Sequence, residues 1–168
     1  MRLPSINLDR SAFANSESTI RKEWLVTNGL GGYASSTVLG INTRKYHGLL
    51  VAAVHPPKDR RVFLEKLDED VISDGRVRRF GANEFSDTFF PKGHDFLQHF
   101  SLSPFPAFVY AADKVTIQKT IFMSYGKNGT IVLYNVSNQS SGDIKFRIFP
   151  LINCRNFHTV TKKSHVPP

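Results

Sequence analysis

Residues 114–123 read KVTIQKTIFM, and their spacing decides the fold. Val115, Ile117, Ile121 and Met123 fall on one side of an extended chain, with Thr116, Gln118 and Thr120 on the other. That period of two belongs to a half-buried strand. A helix would need apolar residues at i, i+3, i+4 and i+7. No window from Tyr46 to Phe149 sustains that stripe with caps at its ends.

The same rhythm recurs outward. DIKFRIF at 143–149 sets Ile144, Phe146 and Ile148 against Lys145, Arg147 and Phe149, and TIVLYNV at 130–136 is apolar enough for a sheet interior. Turn chemistry separates the runs: Ser73-Asp74-Gly75, Ala112-Asp113-Lys114, Gly126-Lys127-Asn128-Gly129 and the polar stretch 137–143. Asp74-Gly75 tolerates the positive φ of a two-residue hairpin turn. PPK at 56–58 and SPFP at 103–106 read as corners between strands. Helix-like composition is confined to the piece from Phe13 to Glu23. The expected architecture is an all-β antiparallel β-sandwich with little helix, formed by residues 23–168 behind a lead-in segment 1–22.

Composition limits the function classes. The chain has 168 residues, 40% hydrophobic and 21% charged, enough for one core without staples. The single cysteine, Cys154, supports neither an internal disulfide nor a cysteine metal cage. No apolar run is long enough to span a bilayer, and MRLPSINLDR lacks the apolar core of a secretion signal, so a cytoplasmic protein with no membrane partner is expected. The N-x-S/T triplets at Asn128, Asn135 and Asn138 therefore carry little weight. The formal charge of +8 would suit a polyanion. However, the basic residues come as scattered pairs (Arg21-Lys22, Arg44-Lys45, Arg60-Arg61, Arg78-Arg79, Lys162-Lys163) without a continuous stripe, which argues against nucleic acid.

The densest punctuation is EWLVTNGLGGYASS at 23–36, where Gly29, Gly31 and Gly32 crowd one turn. Gly29, Gly31 and Ala34 match the spacing of a dinucleotide fingerprint. That fingerprint needs a helix starting at the glycines, and YASSTVLG is β-branched; the acidic residue expected about 20 positions on is also missing. No cofactor is expected. Six histidines include no H-x-x-x-H pair, so no metal site is expected. There is no G-x-S-x-G elbow, and Cys154 reads as a small buried apolar residue rather than an activated thiol. The carboxylates from Glu65 to Asp70 lie in one strand and turn, read as a solvated acidic edge, whereas a glycosidase needs two carboxyls facing each other. Trp24, Asn28, Tyr33, Asn42, Arg44, Tyr46 and His47 surround the glycine turn. Flat aromatic faces with Asn, Arg and His suit the C–H faces and hydroxyls of a sugar. The alternative is that the aromatics are core and the glycines merely turn the chain.

Several separated segments in order now narrow the reading: residues 23–69, then FPKGHDFLQHFSLSPFPAFVY, IQKTIFMSYGKNGTIVLYNV and PLINCRNFH. Together they resemble the N-terminal domain of bacterial and archaeal glycogen debranching enzymes of the amylo-α-1,6-glucosidase type, from Glu23 to about His158. The resemblance implies a supersandwich-like β-domain placed ahead of an (α/α) toroid that carries the general acid and base for hydrolysing α-1,6 branch points. No amphipathic helix pairs follow Phe149, so no catalytic residue is assigned here and the chain alone is expected to be inactive. The Pro-rich end at 167–168 suggests a boundary just short of the natural one. Implied partners are the toroid and an α-glucan, glycogen or a maltooligosaccharide. The residues expected at a substrate or domain interface are Trp24, Asn28, Gly29, Gly31, Gly32, Tyr33, Arg44, Tyr46, His47, Arg155 and His158. Asn156 departs from the family, which more usually has Asp in this RNFH position. The alternatives are a structural domain-packing module without sugar affinity and, less favoured, a basic nucleic-acid-binding β-domain.

Overall fold

A computed structural model of the chain describes residues 5–86 and 88–161. Its strands in order are β1 (Ile6–Asp9), β2 (Glu23–Thr27), β3 (Tyr33–Thr37), β4 (Gly48–His55), β5 (Lys58–Ser73), β6 (Arg76–Arg79), β7 (Ala82–Glu84), β8 (Phe89–Lys92), β9 (Leu97–Leu102), β10 (Pro106–Ala112), β11 (Val115–Met123), β12 (Thr130–Asn138) and β13 (Lys145–Asn156). One sheet runs β1-β9-β10-β11-β12. The other runs β13-β5-β4-β3-β2, with β6 also on β5, and β7 and β8 form a separate hairpin. All pairings are antiparallel. The expected sandwich is present.

Its interior follows from the alternation. On β11, Val115, Ile117, Ile121 and Met123 are buried. They meet Trp24, Ala34, Leu49 and Val71 of the opposite sheet, with Phe100, Phe108 and Tyr110 filling the space between. Each fully buried aliphatic side chain contributes about 1.5–3 kcal/mol. The Asp74-Gly75 turn has φ of +49° and +72°, which the twist of a two-residue hairpin demands.

Three expectations need correction or extension. TIVLYNV forms β12, an edge strand and not an interior one. Val132, Tyr134 and Val136 pack on the core while Ile131 and Leu133 face outward, so apolar residues on both faces imitated an interior run. On β13, the end strand of its sheet, Ile144 precedes the strand and packs inward with Phe146, whereas Ile148 and Phe149 are both exposed. The lead-in is structural: β1 pairs with β9, and Phe13 and Thr19 are buried. Helix in this segment amounts to a 3-10 turn, Arg10–Phe13, and α1 (Ser16–Thr19), capped by the Asn15 side chain accepting from the Ser18 N–H. No helix among the described residues is long and apolar enough to cross a membrane.

Candidate functional site

Four chain segments meet at one end of the sandwich: the glycine loop between β2 and β3, the corner between β4 and β5, the loop between β11 and β12, and the turn after β13. The glycines enter β3, an extended strand, so no helix amide array exists for a pyrophosphate. Gly29 and Gly31 have φ of +78° and +92°. A Cβ on Gly31 would meet the Pro57 backbone at 3.0 Å, so this close approach requires glycine twice over.

Asn28 holds the loops together. Its Oδ1 accepts from the Leu30 N–H at 2.9 Å and the Gly32 N–H at 3.0 Å, while Nδ2 donates to Lys127 O at 2.9 Å and Asn128 Oδ1 at 3.0 Å. Both lone pairs of Oδ1 and both protons of Nδ2 are used, so Asn28 is a fully buried clamp rather than a ligand-facing group. Asn128 in turn donates from Nδ2 to Ala53 O at 2.8 Å.

Beside this clamp lies an open groove of about 360 Å³ lined by Leu25, Thr27, the three loop glycines, Tyr33 and Arg60. The Arg60 Nε donates to Gly31 O at 2.6 Å, and its guanidinium lies 5.4 Å from the centre of the Phe157 ring. Among the described residues no carboxylate pairs with Arg60. The Tyr33 hydroxyl donates to Tyr46 O at 2.8 Å; burial raises its pKa, opposed by Arg60 and Arg155. The Tyr46 hydroxyl lies 3.2 Å from His158 Nδ1, and its ring centre is 5.4 Å from that of Phe157. Lys45 Nζ donates to His158 O at 2.8 Å. The result is a patch of rings and cations that presents donors to hydroxyl or carbonyl oxygens and flat faces to C–H groups.

The structure therefore brings together Gly29, Gly31, Gly32, Tyr33, Tyr46 and His158 from the expected set. Arg155 sits just beneath, its guanidinium forked onto Glu65 at 2.9 and 3.3 Å. The neutral Asn156 leaves that pair undisturbed; its Oδ1 accepts from the His158 N–H and shapes the turn. Trp24 is elsewhere: its ring is buried edge-on against Phe108 and its Nε1 donates to Thr37 O, so it has no face for a sugar. Arg44 and His47 are drawn to Glu23 instead. Arg44 Nε is 2.8 Å from Glu23 Oε1, and the buried His47 accepts from the Thr43 N–H at Nδ1 while its Nε2 lies 3.4 Å from the same carboxylate. Asn42 bonds Ser36 and the Glu65 carbonyl.

Sequence reasoning missed Arg60, Phe157 and Tyr125. Arg60 read only as half of a basic pair, and Tyr125 only as one residue of a family-like segment; Cys154, expected to be buried, is exposed. The carboxylates of 65–70 also need correction. They occupy the middle of β5, not a solvated edge: Glu69 is 5% exposed and pairs with Lys119 at 2.6 Å, Asp68 is 2.8 Å from Lys66, and Glu65 holds Arg155. Burial lowers the pKa of Lys66, with Asp68 opposing. Among the basic pairs, Arg60-Arg61 opens β5 whereas Arg78 on β6 bonds Asp113 beside a second cavity of about 380 Å³ at the far end of β5; Lys162-Lys163 lie outside the described residues. No group of three or more His, Cys, Asp or Glu among the described residues could hold a metal.

Compared with known families, residues 22–167 match the family described as "Glycogen debranching enzyme N terminal". No curated protein and no solved structure matched the chain.

Proposed function

Since the chain belongs to the glycogen debranching enzyme N-terminal family, we propose that it is a non-catalytic module that binds and positions α-glucan for a debranching enzyme and packs against its catalytic domain during cytoplasmic glycogen breakdown. The observation that carries this reading is the groove beside the glycine loop, where Tyr33 and Arg60 adjoin the Tyr46–Phe157–His158 patch. An uncharged polyol is recognised by forked donors and ring faces, and both converge here. A catalytic role for Glu65, Asp68 and Glu69 is disfavoured because these three are committed: Glu69 to Lys119 inside the sandwich, Asp68 to Lys66 and Glu65 to Arg155.

Packing against a second domain is supported by β13. This strand pairs with β5 on one side only and exposes Ile148, Phe149 and Ile152, the last at 79%. Unpaired edges with apolar side chains are ordinarily covered.

Native electrophoresis through a gel containing glycogen tests the glucan half. The wild-type chain is retarded relative to a glycogen-free gel, and Arg60→Ala runs as though glycogen were absent. Unchanged mobility of the wild type would reduce the role to packing.

A further inference from the structure

Tyr125 is the unexplained residue of this surface. Its side chain is 87% exposed, yet the loop that carries it is fastened on both sides. The Gly126 N–H donates to Asn28 O at 2.7 Å, Asn28 Nδ2 donates to Lys127 O and Asn128 Oδ1, and Asn128 Nδ2 donates to Ala53 O. Within the loop, the Ser124 N–H bonds Gly129 O and the Lys127 N–H bonds Ser124 O. The ring itself lies against Gly29, so closely that a Cβ there would fall 2.5 Å from Tyr125 Cε2.

An exposed aromatic ring on a surface turn normally moves among rotamers, since ordering it costs entropy that burial does not return. Here the sequence fixes the turn with two asparagines and keeps residue 29 a glycine at positive φ, while leaving a ring face in water. A ring carried on a fastened loop, with one face against Gly29 and the other open, costs a ligand less ordering than one on a free turn.

We infer that Tyr125 is a stacking platform for one glucosyl unit of an α-glucan, at the Gly29 end of the groove that runs to Arg60. The inference rests on the function proposed above and extends it to a residue outside the sites expected from sequence. The chemistry favours a sugar over a protein anchor. The groove that Gly29 lines beside the ring mixes Leu25 and Tyr33 with Thr27, the glycine backbone and the Arg60 guanidinium, so it suits a ligand that carries C–H faces and hydroxyls together. A pyranose offers flat C–H faces to the ring and hydroxyls to the neighbouring donors.

Titration calorimetry with maltoheptaose on the 168-residue chain tests this, using Tyr125→Ala, Tyr125→Phe and Arg60→Ala beside the wild type. Tyr125→Ala is expected to weaken binding roughly five- to tenfold, the loss of one ring contact, while Tyr125→Phe keeps affinity within about threefold. Because the side chain is exposed, both variants should melt within about 2 °C of the wild type. Wild-type affinity in Tyr125→Ala together with loss in Arg60→Ala would overturn the platform and leave the glucan-binding function standing. Failure of the wild type itself to bind would overturn both.

Discussion

Lys119 Nζ and Glu69 Oε1 meet at 2.6 Å between the two sheets, an ion pair buried inside the sandwich. The Tyr134 hydroxyl donates to the same carboxylate oxygen, so β5, β11 and β12 share one polar node; burial and Glu69 together push the Tyr134 pKa up. Removing one partner strands a desolvated charge. Glu69→Ala or Lys119→Ala should each destabilise the fold by about 3–5 kcal/mol. The double change Glu69→Leu with Lys119→Met removes both charges and should cost far less than either single one. Urea denaturation of the three variants checks this; equal, small losses in all three would show that the node contributes little.

Asn28→Ala should destabilise the chain by about 1–3 kcal/mol, because the Leu30 and Gly32 amides lose their acceptor and the 124–129 loop loses its donor. Hydrogen exchange locates the effect: Gly32 and Gly126 amides should exchange faster, while those of β9 and β10 should not change relative to global unfolding.

Gly29→Ala combines positive φ with a 2.5 Å clash against Tyr125. It should cost about 1–2 kcal/mol for the left-handed backbone alone and displace the ring. Intrinsic tyrosine fluorescence and a thermal melt measure the two parts. Unchanged stability would contradict the backbone strain, and unchanged fluorescence the tight approach.

Two histidines set a pH window. Burial lowers the pKa of His47, against the opposing Glu23 and with the help of Arg44; burial also lowers that of His94, against Asp95 and with Lys92. Their folded pKa values lie below the unfolded value of about 6.5. Above that pH both states are neutral and the effect vanishes; below it the unfolded chain takes up protons first, so stability falls as pH drops. The melting temperature should decline from pH 7 towards pH 5.5. His47→Asn, whose Oδ1 can accept from the Thr43 N–H as Nδ1 does, should flatten part of that slope. An unchanged slope would mean that His47 does not contribute to it.

What was legible in the sequence was local. The alternation of β11 and the Asp74-Gly75 turn state their structure within a few residues, and the glycine spacing announced a special backbone path. What was not legible depends on distant partners. Lys119 occupies an apolar register between Ile117 and Ile121, a signal for a buried cation, but its partner lies 50 positions away. Trp24, Asn28 and His47 have the chemistry of sugar ligands, and only the strands folded over them show that they are consumed as ring packing, clamp and buried acceptor. Arg60 and Phe157 become neighbours because β13 pairs with β5 in the register Asn156 opposite Arg61. Tyr125 precedes the Gly126-Lys127-Asn128-Gly129 turn, and nothing in its neighbours announces a ring left exposed against Gly29.

The central claim is that the glycine-loop end of the sandwich takes up α-glucan. The most direct measurement is a two-dimensional ¹⁵N–¹H titration of the chain with maltoheptaose. The account predicts saturable shifts concentrated on Gly29, Gly31, Tyr33, Arg60 and Tyr125, with Arg76 and Lys114 at the far end of β5 unmoved. Absence of shifts, or shifts confined to that far end, would contradict it.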